Sequence, residues 1–349
     1  MILLTNAEIK SQVDYYLNVF FARKVDTGRA YGQSYQVLVR RMQEFMLRGG
    51  KRLRPYLVYL SYSAASGADI APVAEVLAAT EFLHFALLIH DDIIDQDTFR
   101  YGGPNISGKY RQGKPQTASV SQSAEAAALL AGDLALSYVY ELLAEAPLDD
   151  GARLALVSEL GRQFEVVLAG QFLDSVHGEL SGVRLQDILR VNLLKTASYS
   201  TSGPLKLGLI LSGQGSHLLE PFVSYGDALG VLFALTDDLI GMFEVSGTTG
   251  KPSCSDLHEG KLTALFYYAR KMLKGGDLDV LNNVMGKPHR ADENLDDIRR
   301  VLIASGAKSQ IQKLAQDYCQ KATDALTGLQ GPAVDRLRTM PEEILHRKR

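Results

Sequence analysis

The chain has 349 residues, a net charge of −3, 46% hydrophobic and 8% aromatic residues, and no tryptophan. A charge so near zero argues against a nucleic-acid or other polyanion partner, and the apolar share excludes intrinsic disorder. Cys254 and Cys319 are the only cysteines. They form neither a disulfide framework nor a zinc pattern, so a reducing cytoplasm is the expected compartment.

The start of the chain, Met1 to Glu8, lacks a basic region and a long apolar core, so no secretory leader is expected. No uninterrupted apolar stretch reaches the ~18 residues of a membrane span, so no integral membrane segment is expected. Apolar residues recur at helical spacing almost throughout, and alternating strand patterns are scarce. The spacing predicts helices over 7–25, 31–48, 53–66, 72–95, 118–146, 150–180, 185–211, 217–243, 258–273, 276–285, 295–327 and 331–346. Gly49-Gly50, Gly102-Gly103-Pro104, Pro147, residues 247–252, Gly275-Gly276 and Gly331-Pro332 punctuate them. With no low-complexity linker and no repeat, the expectation is a single all-α domain over 1–349, a bundle of long helices.

Arg48-Gly-Gly-Lys-Arg-Leu-Arg-Pro55 packs four cations and two glycines into a turn ahead of a helix. Glycines let backbone N–H groups approach an anion, and Lys and Arg add charge and forked donors. That is diphosphate-binding chemistry; it is also the composition of an ordinary basic surface turn. P-loop spacing is absent.

His90-Asp-Asp-Ile-Ile-Asp95 then closes the apolar run 76–89. Asp91 and Asp95, four residues apart, share a helix face. Clustered carboxylates on a largely buried helix persist when a cation sits on them. Oxygen-only donors favour Mg²⁺ or Mn²⁺ over Zn²⁺. A solvated acidic helix end is the alternative. Arg100 follows closely, placed either to meet a metal-bound phosphate or to face solvent.

The segment 125–144 is rich in Ala and Leu, as a bundle core or a face between subunits requires. Gln171 and Asp174 are polar positions on an apolar helix, supporting a site or joining two helices. Lys195-Thr196 interrupts another apolar run. A lysine there either snorkels to water or faces a buried anion. A helix break near Thr196 frees backbone groups to line a cavity. Asp237-Asp238 ends a further apolar run. Gly250-Lys251-Pro252 and Ser255 to Lys261 come next, a basic loop placed like a lid over a phosphate. The tail, His346-Arg-Lys-Arg349, is basic, or simply a frayed surface end.

Taken in order, Gly-Gly-Lys-Arg-Leu-Arg-Pro, Ile-His-Asp-Asp-Ile-Ile-Asp, Leu-Ala-Gly-Asp, Gly-Gln-Phe-Leu-Asp, Lys-Thr, the second Asp pair, Gly-Lys-Pro and Ser-Asp-Leu-x-Glu-Gly-Lys resemble the polyprenyl synthetase family, the trans-isoprenyl diphosphate synthases. The likeness runs from Gly49 to the basic tail. It implies the isoprenoid synthase fold, all-α around a central cavity, with the two Asp motifs on facing helices, in a homodimer. It implies Mg²⁺, with Mn²⁺ possible and about three ions per site, bound by carboxylates and substrate phosphates. The implied reaction joins an allylic diphosphate (dimethylallyl, geranyl or farnesyl) to isopentenyl diphosphate. Carried over by motif, Asp91, Asp95 and Asp237 are the main metal ligands, with Asp92 and Asp238 in support. Arg100, Lys195 and Lys251 hold the allylic diphosphate, with Lys261 on the lid. Gly50, Lys51, Arg54 and His84 hold isopentenyl diphosphate. Thr196 and nearby backbone groups steady the carbocation.

Four positions depart from the family pattern. Tyr101 stands where a second Arg is usual, Ala234 replaces a common Gln, Thr236 replaces an Arg or other polar residue, and Gly241 replaces the last Asp of the second motif. The Gly241 form, followed by Thr-Gly-Lys-Pro, looks like actinobacterial members. Bulky residues four and five positions before the first Asp shorten products in this family. Here they are Leu87 and Ala86, which points to a C20 product, geranylgeranyl diphosphate, or longer. Two other readings stand beside this one. The first is a class I terpene cyclase, or a prenyltransferase with another acceptor. The second is an inactive regulatory subunit.

Overall fold

The computed structural model describes residues 3–66, 73–177, 182–243 and 254–347. In chain order its helices are α1 (Asn6–Thr27), α2 (Gln33–Arg48), α3 (Leu53–Ser66), α4 (Ala74–Ile94), α5 (Ile106–Arg111), α6 (Ala118–Glu145), α7 (Asp150–His177), α8 (Leu185–Val191), α9 (Ser198–Ser200), α10 (Ser202–Ser212), α11 (Leu219–Phe243), α12 (Ser255–Glu259), α13 (Ala264–Met272), α14 (Gly276–Val284), α15 (Pro288–Glu293), α16 (Leu295–Ala304), α17 (Ala307–Ala325) and α18 (Pro332–Leu345). A two-residue ladder of β1 (Phe99–Arg100) and β2 (Gly103–Pro104) interrupts them. The fold is all-α, as the apolar spacing predicts.

The chain forms two compact units, residues 1–160 with 204–216, and residues 161–203 with 217–349. In the first, α4 packs chiefly against α6, and also on α1 and α3. Phe20, Phe82 and Tyr138 meet at ring separations of 5.1 to 5.4 Å. Each such pair adds about 0.5–1.5 kcal/mol beyond its buried area. Thr5 opens α1 with a reciprocal cap to Glu8, satisfying two backbone donors at once.

In the second unit α11 is the central helix, packed on α17 and α18. The Tyr225 hydroxyl, fully buried, donates to the Leu337 carbonyl at 2.7 Å. Between α8 and α9 the chain winds as a π-helix over Asn192–Ala197. Two close approaches hold it there. A Cβ on Gly170 of α7 would lie 2.4 Å from Lys195 N, and one on Gly230 of α11 would lie 2.4 Å from Ala197 Cα. Only glycine leaves that room.

Three expected helical runs are divided, the first of them one in which a break is expected near Thr196. The run 185–211 becomes α8, the π segment, α9 and α10, with a break at Thr201 (φ −134°, ψ −69°). The run 258–273 becomes α12 and α13, and 295–327 is cut before α17 by Gly306 at φ 84°. The β ladder, α5 and α15 carry too few residues for a periodic signal. Residues 178–180 and 247–252 lie outside the described residues.

Two helices, Ala118–Glu145 and Ser216–Phe243, are long and apolar enough by length and composition to cross a membrane. Neither is an uninterrupted apolar run of the length a membrane span needs. The apolar window of the second is 61% buried inside the protein and that of the first 44%. The second serves as a core helix.

Candidate active site

In the first unit the acidic motif sits at the C-terminal end of α4. Asp95 caps the helix, its N–H donating to the Asp91 carbonyl at 2.8 Å. Asp92 points inward and is 4% exposed. Arg100 Nε donates to Asp92 Oδ1 at 2.6 Å, Arg100 Nη2 to Asp91 Oδ2 at 3.3 Å, and Asn105 Nδ2 to Asp92 Oδ2 at 2.9 Å. Both Asp92 oxygens are thus engaged by side chains of this unit, whereas Asp91 and Asp95 are half-buried. Burial opposes the Arg100 charge, but Asp92 and Asp91 outweigh it and raise its pKa further. Arg100 stands on β1, and Tyr101-Gly102 form the connecting turn with φ 53° and 71°, the type I′ geometry of a two-residue hairpin.

The Tyr101 ring lies against the basic turn. A Cβ on Gly49 would meet Tyr101 Cγ at 2.7 Å. Arg48 Nη1 donates to the Arg100 and Pro104 carbonyls at 3.3 and 2.9 Å, which ties the end of α2 to the hairpin. In the turn, Lys51 is exposed, Arg54 half-buried and Arg52 buried. Burial and the nearby Arg54, Arg100 and Arg52 charges hold the His84 imidazole well below its usual pKa. His84, Leu87 and Asp91 are half-buried at successive helical spacings on α4. They form one accessible stripe. Ala86 is off that stripe and fully buried.

In the second unit Lys195 Nζ, on the π segment, donates to Asp174 Oδ2 at 2.7 Å. Asp174 lies one turn beyond Gly170, so Gly-Gln-Phe-Leu-Asp supplies both the close approach and the partner for Lys195. Thr196 lies half-buried in the same segment. Asp237 and Asp238 are on the last turns of α11. Burial, with Asp256, Asp237 and Asp174 around it, holds the Asp238 carboxyl well above the usual range, and Lys195 works the other way. Asp238, Gly241, Met242, Cys254, Asp256 and Thr263 line a crevice of about 10 Å³, the size of one water or ion. Asp256 therefore brings a carboxylate to the place where Gly241 brings none. Lys261 pairs with Glu259. Lys251 lies outside the described residues.

These donors fit a hard divalent cation. Carboxylate oxygens are the donor type such a cation takes, and burial with Asp256, Asp237 and Asp174 nearby disfavours the ionised form of Asp238. The sequence reading did not single out Asn105 or Asp97 (which Arg100 approaches at 3.8 Å), and named Asp256 and Arg347 only within the loop 255–261 and the basic tail. Arg347 Nη2 donates to Asp237 Oδ1 at 2.7 Å.

Residues 35–302 match the family model for polyprenyl synthetase. The chain is 30% identical over 297 residues to the geranylgeranyl diphosphate synthase of Methanosarcina mazei, covering 85% of this chain and 83% of that one. It is 29% identical over 332 residues to the geranylfarnesyl diphosphate synthase of Aeropyrum pernix, covering 93% of each. Its fold superimposes on that of the geranylgeranyl pyrophosphate synthase of Corynebacterium glutamicum, solved with isoprenyl diphosphate and magnesium. The TM-score is 0.90 at 25% identity, over 99% of this chain and 100% of that one. With the motifs in order and most of its length matched, the chain belongs to the polyprenyl synthetase family.

Proposed function

We propose that this chain is a trans-prenyltransferase that joins an allylic diphosphate to isopentenyl diphosphate and releases diphosphate. The product is geranylgeranyl diphosphate or a longer chain. One observation carries this reading beyond the family: α4 bears both polar sites. His84, beside the cationic turn, precedes Asp91 by seven residues, about 10 Å along the helix. A cyclase, which binds one diphosphate, has no use for the second site.

Asp91, Asp95 and Asp237 are the expected Mg²⁺ ligands, with Asp238 and Asp256 as further carboxylates of the second unit, and Mn²⁺ as a substitute. About three ions fit a site that also binds substrate phosphates. Bound Mg²⁺ supplies positive charge for the departing diphosphate. Asp92 holds Arg100 at the rim of the acidic motif, where its guanidinium, with Lys195 and Lys251, meets the allylic diphosphate. Lys261 belongs to the closing loop. Gly50, Lys51, Arg54 and a neutral His84 take the diphosphate of isopentenyl diphosphate. The allylic C–O bond breaks, the isopentenyl double bond attacks the cation, and a proton leaves. Thr196 and the π-segment carbonyls steady the cation, and apolar walls exclude water from it. The departing diphosphate is a sufficient base.

The family match runs through both compact units, which supports one functional domain over 1–349. An exposed strip on α6, with Leu129 at 50%, Leu130 at 60% and Tyr140 at 54% exposure, supports a homodimer through that helix. Neither cysteine forms a disulfide, which supports a cytoplasmic setting.

Tyr101 favours a second reading, a cyclase or a prenyltransferase with another acceptor, because it removes a cation from the isopentenyl diphosphate pocket. Purified protein with Mg²⁺, isopentenyl diphosphate and C5, C10 or C15 allylic diphosphates separates them. A C20 or longer diphosphate is expected. Hydrocarbon or alcohol products made without isopentenyl diphosphate would transfer the assignment to a cyclase.

A further inference from the structure

The four cations of Arg48–Pro55 are separated by direction, and Arg52 is the one turned inward. It is 4% exposed. Its Nε donates to Asp14 Oδ1, its Nη1 to Glu81 Oε2 and its Nη2 to the Met46 carbonyl, each at 2.8 Å. These acceptors belong to α1, α4 and α2. The Arg52 backbone is left-handed at φ 51° and Gly50 stands at φ 101°. A Cβ on Gly50 would lie 2.8 Å from Arg52 Nη1. The turn is therefore wound around its own guanidinium. From the start of α1, Asn6 Nδ2 also donates to the Lys51 carbonyl at 3.2 Å.

We propose that Arg52, Asp14 and Asn6 are positioning residues for the isopentenyl diphosphate pocket: they fix the turn that presents Lys51 and Arg54 and do not touch the ligand. The inference rests on the assignment of Lys51, Arg54 and His84 to that diphosphate. A left-handed backbone at a non-glycine residue persists when its surroundings over-determine it, and a forked donor shared among three helices does so. Lysine cannot reproduce that fork. Glu81 lies three residues before His84 on α4, so the anchor that holds the turn also lies beside the pocket's histidine. Asn6 and Asp14 precede residue 35, where the family match begins. The pocket is thus braced from α1, ahead of the stretch that the family model matches.

The test uses the full chain with Arg52→Lys, Asp14→Asn, Asp14→Glu, Asn6→Ala and, as a reference for the pocket, Lys51→Ala. Isopentenyl diphosphate binding is read by calorimetry, KM for isopentenyl and geranyl diphosphate by steady-state kinetics, and folding by thermal melts. A small misplacement of binding groups is costly, so Arg52→Lys and Asp14→Asn are expected to raise Kd and KM for isopentenyl diphosphate about tenfold. KM for geranyl diphosphate and kcat should stay within about twofold, and Asp14→Glu should recover most of the loss. If Arg52→Lys does not fold, Asn6→Ala, which removes one exposed hydrogen bond, carries the test with about a threefold rise. A lowered melting temperature with unchanged isopentenyl diphosphate Kd would make Arg52 merely structural and overturn the proposal. Unchanged binding in Lys51→Ala would overturn the pocket assignment and the proposal with it. Weak binding in Lys51→Ala beside normal binding in the other variants would overturn the positioning role alone.

Discussion

Arg347, two residues beyond the last helix, is clasped to Asp237, the first carboxylate of the second acidic motif, at 2.7 Å. The clasp does not depend on that carboxylate. The same guanidinium donates to Thr236 Oγ1 at 2.8 and 3.1 Å and to the Phe233 carbonyl at 2.8 Å, and lies 3.7 Å from the Phe233 ring centroid. Thr236 thus accepts from Arg347. Asp237 is half exposed, so its ion pair adds little stability. The buried donations to Thr236 and Phe233 add about 1.5–3 kcal/mol. Arg347→Ala should lose about 2 kcal/mol in denaturant titration and about tenfold in kcat/KM for the allylic substrate. Wild-type values of both would show that Arg347 is idle.

Asp92 and Asp95 should separate cleanly. Asp92 is buried between Arg100 and Asn105, and removing it leaves the buried Arg100 guanidinium with only its longer contacts to Asp91 and Asp97. Asp92→Ala should cost about 3–5 kcal/mol. Asp95 is half-buried at a helix end, and Asp95→Ala should stay within about 1 kcal/mol of wild type while losing Mg²⁺-dependent turnover. Guanidinium unfolding curves beside a turnover assay decide it. Equal stability losses would contradict this division of labour.

Much of this was legible in the sequence because helix periodicity and the acidic clusters are local signals. The last apolar turn before Asp91 marks the end of α4 directly, and the glycines after Arg48 mark the end of α2. The π segment was not legible as such. Its residues keep a helical pattern, and the winding depends on Gly170 and Gly230, which approach it from other helices. The roles of Asn105, and of Arg347 within the basic tail, were hidden for the same reason. These side chains reach Asp92 and Asp237 across 13 and 110 residues, and nothing near the motifs signals them. Composition also cannot say which of four neighbouring cations turns inward; that depends on Asp14 and Glu81, which belong to other helices.

His84 should be neutral at pH 7, offering the diphosphate an N–H rather than a charge. Its folded pKa is depressed by burial and by Arg54, Arg100 and Arg52, while the unfolded value is 6.5. The sign follows. Below pH 6.5 the unfolded chain takes up the proton first, so this contribution is complete above that pH and is lost as pH falls toward the folded pKa. Unfolding free energy should decline from about pH 7.5 to about pH 5.5, and His84→Gln should flatten that slope. A His84 imidazole that titrates near 6.5 by NMR in the folded protein would contradict this.

Tyr101→Arg should strengthen isopentenyl diphosphate binding. Position 101 lies in a tight turn, against Gly49 of the basic turn, so a guanidinium there comes close to the same anion. The left-handed backbone is equally strained for Tyr and Arg, so the change in side chain decides the effect. A charge-assisted bond of about 1.5–3 kcal/mol predicts at least about a tenfold fall in KM for isopentenyl diphosphate. An unchanged KM would place Tyr101 outside the pocket.

Product length tests the stripe below the first acidic motif. Leu87 is half-buried in line with His84 and Asp91, so on the proposed reading a larger side chain there takes up room on the substrate side of α4. Leu87→Phe should shift the product below C20. Ala86 is fully buried one residue earlier. Ala86→Phe should also shorten the product, but by pushing packed neighbours toward the cavity, at about 1–3 kcal/mol of stability. Mass spectrometry of products from geranyl and farnesyl diphosphate reads both variants, with melting curves run beside them. A shortened product in Leu87→Phe alone would put the floor on the accessible stripe. An unchanged profile in both would remove these residues from length control, and the floor would have to be sought elsewhere along the chain.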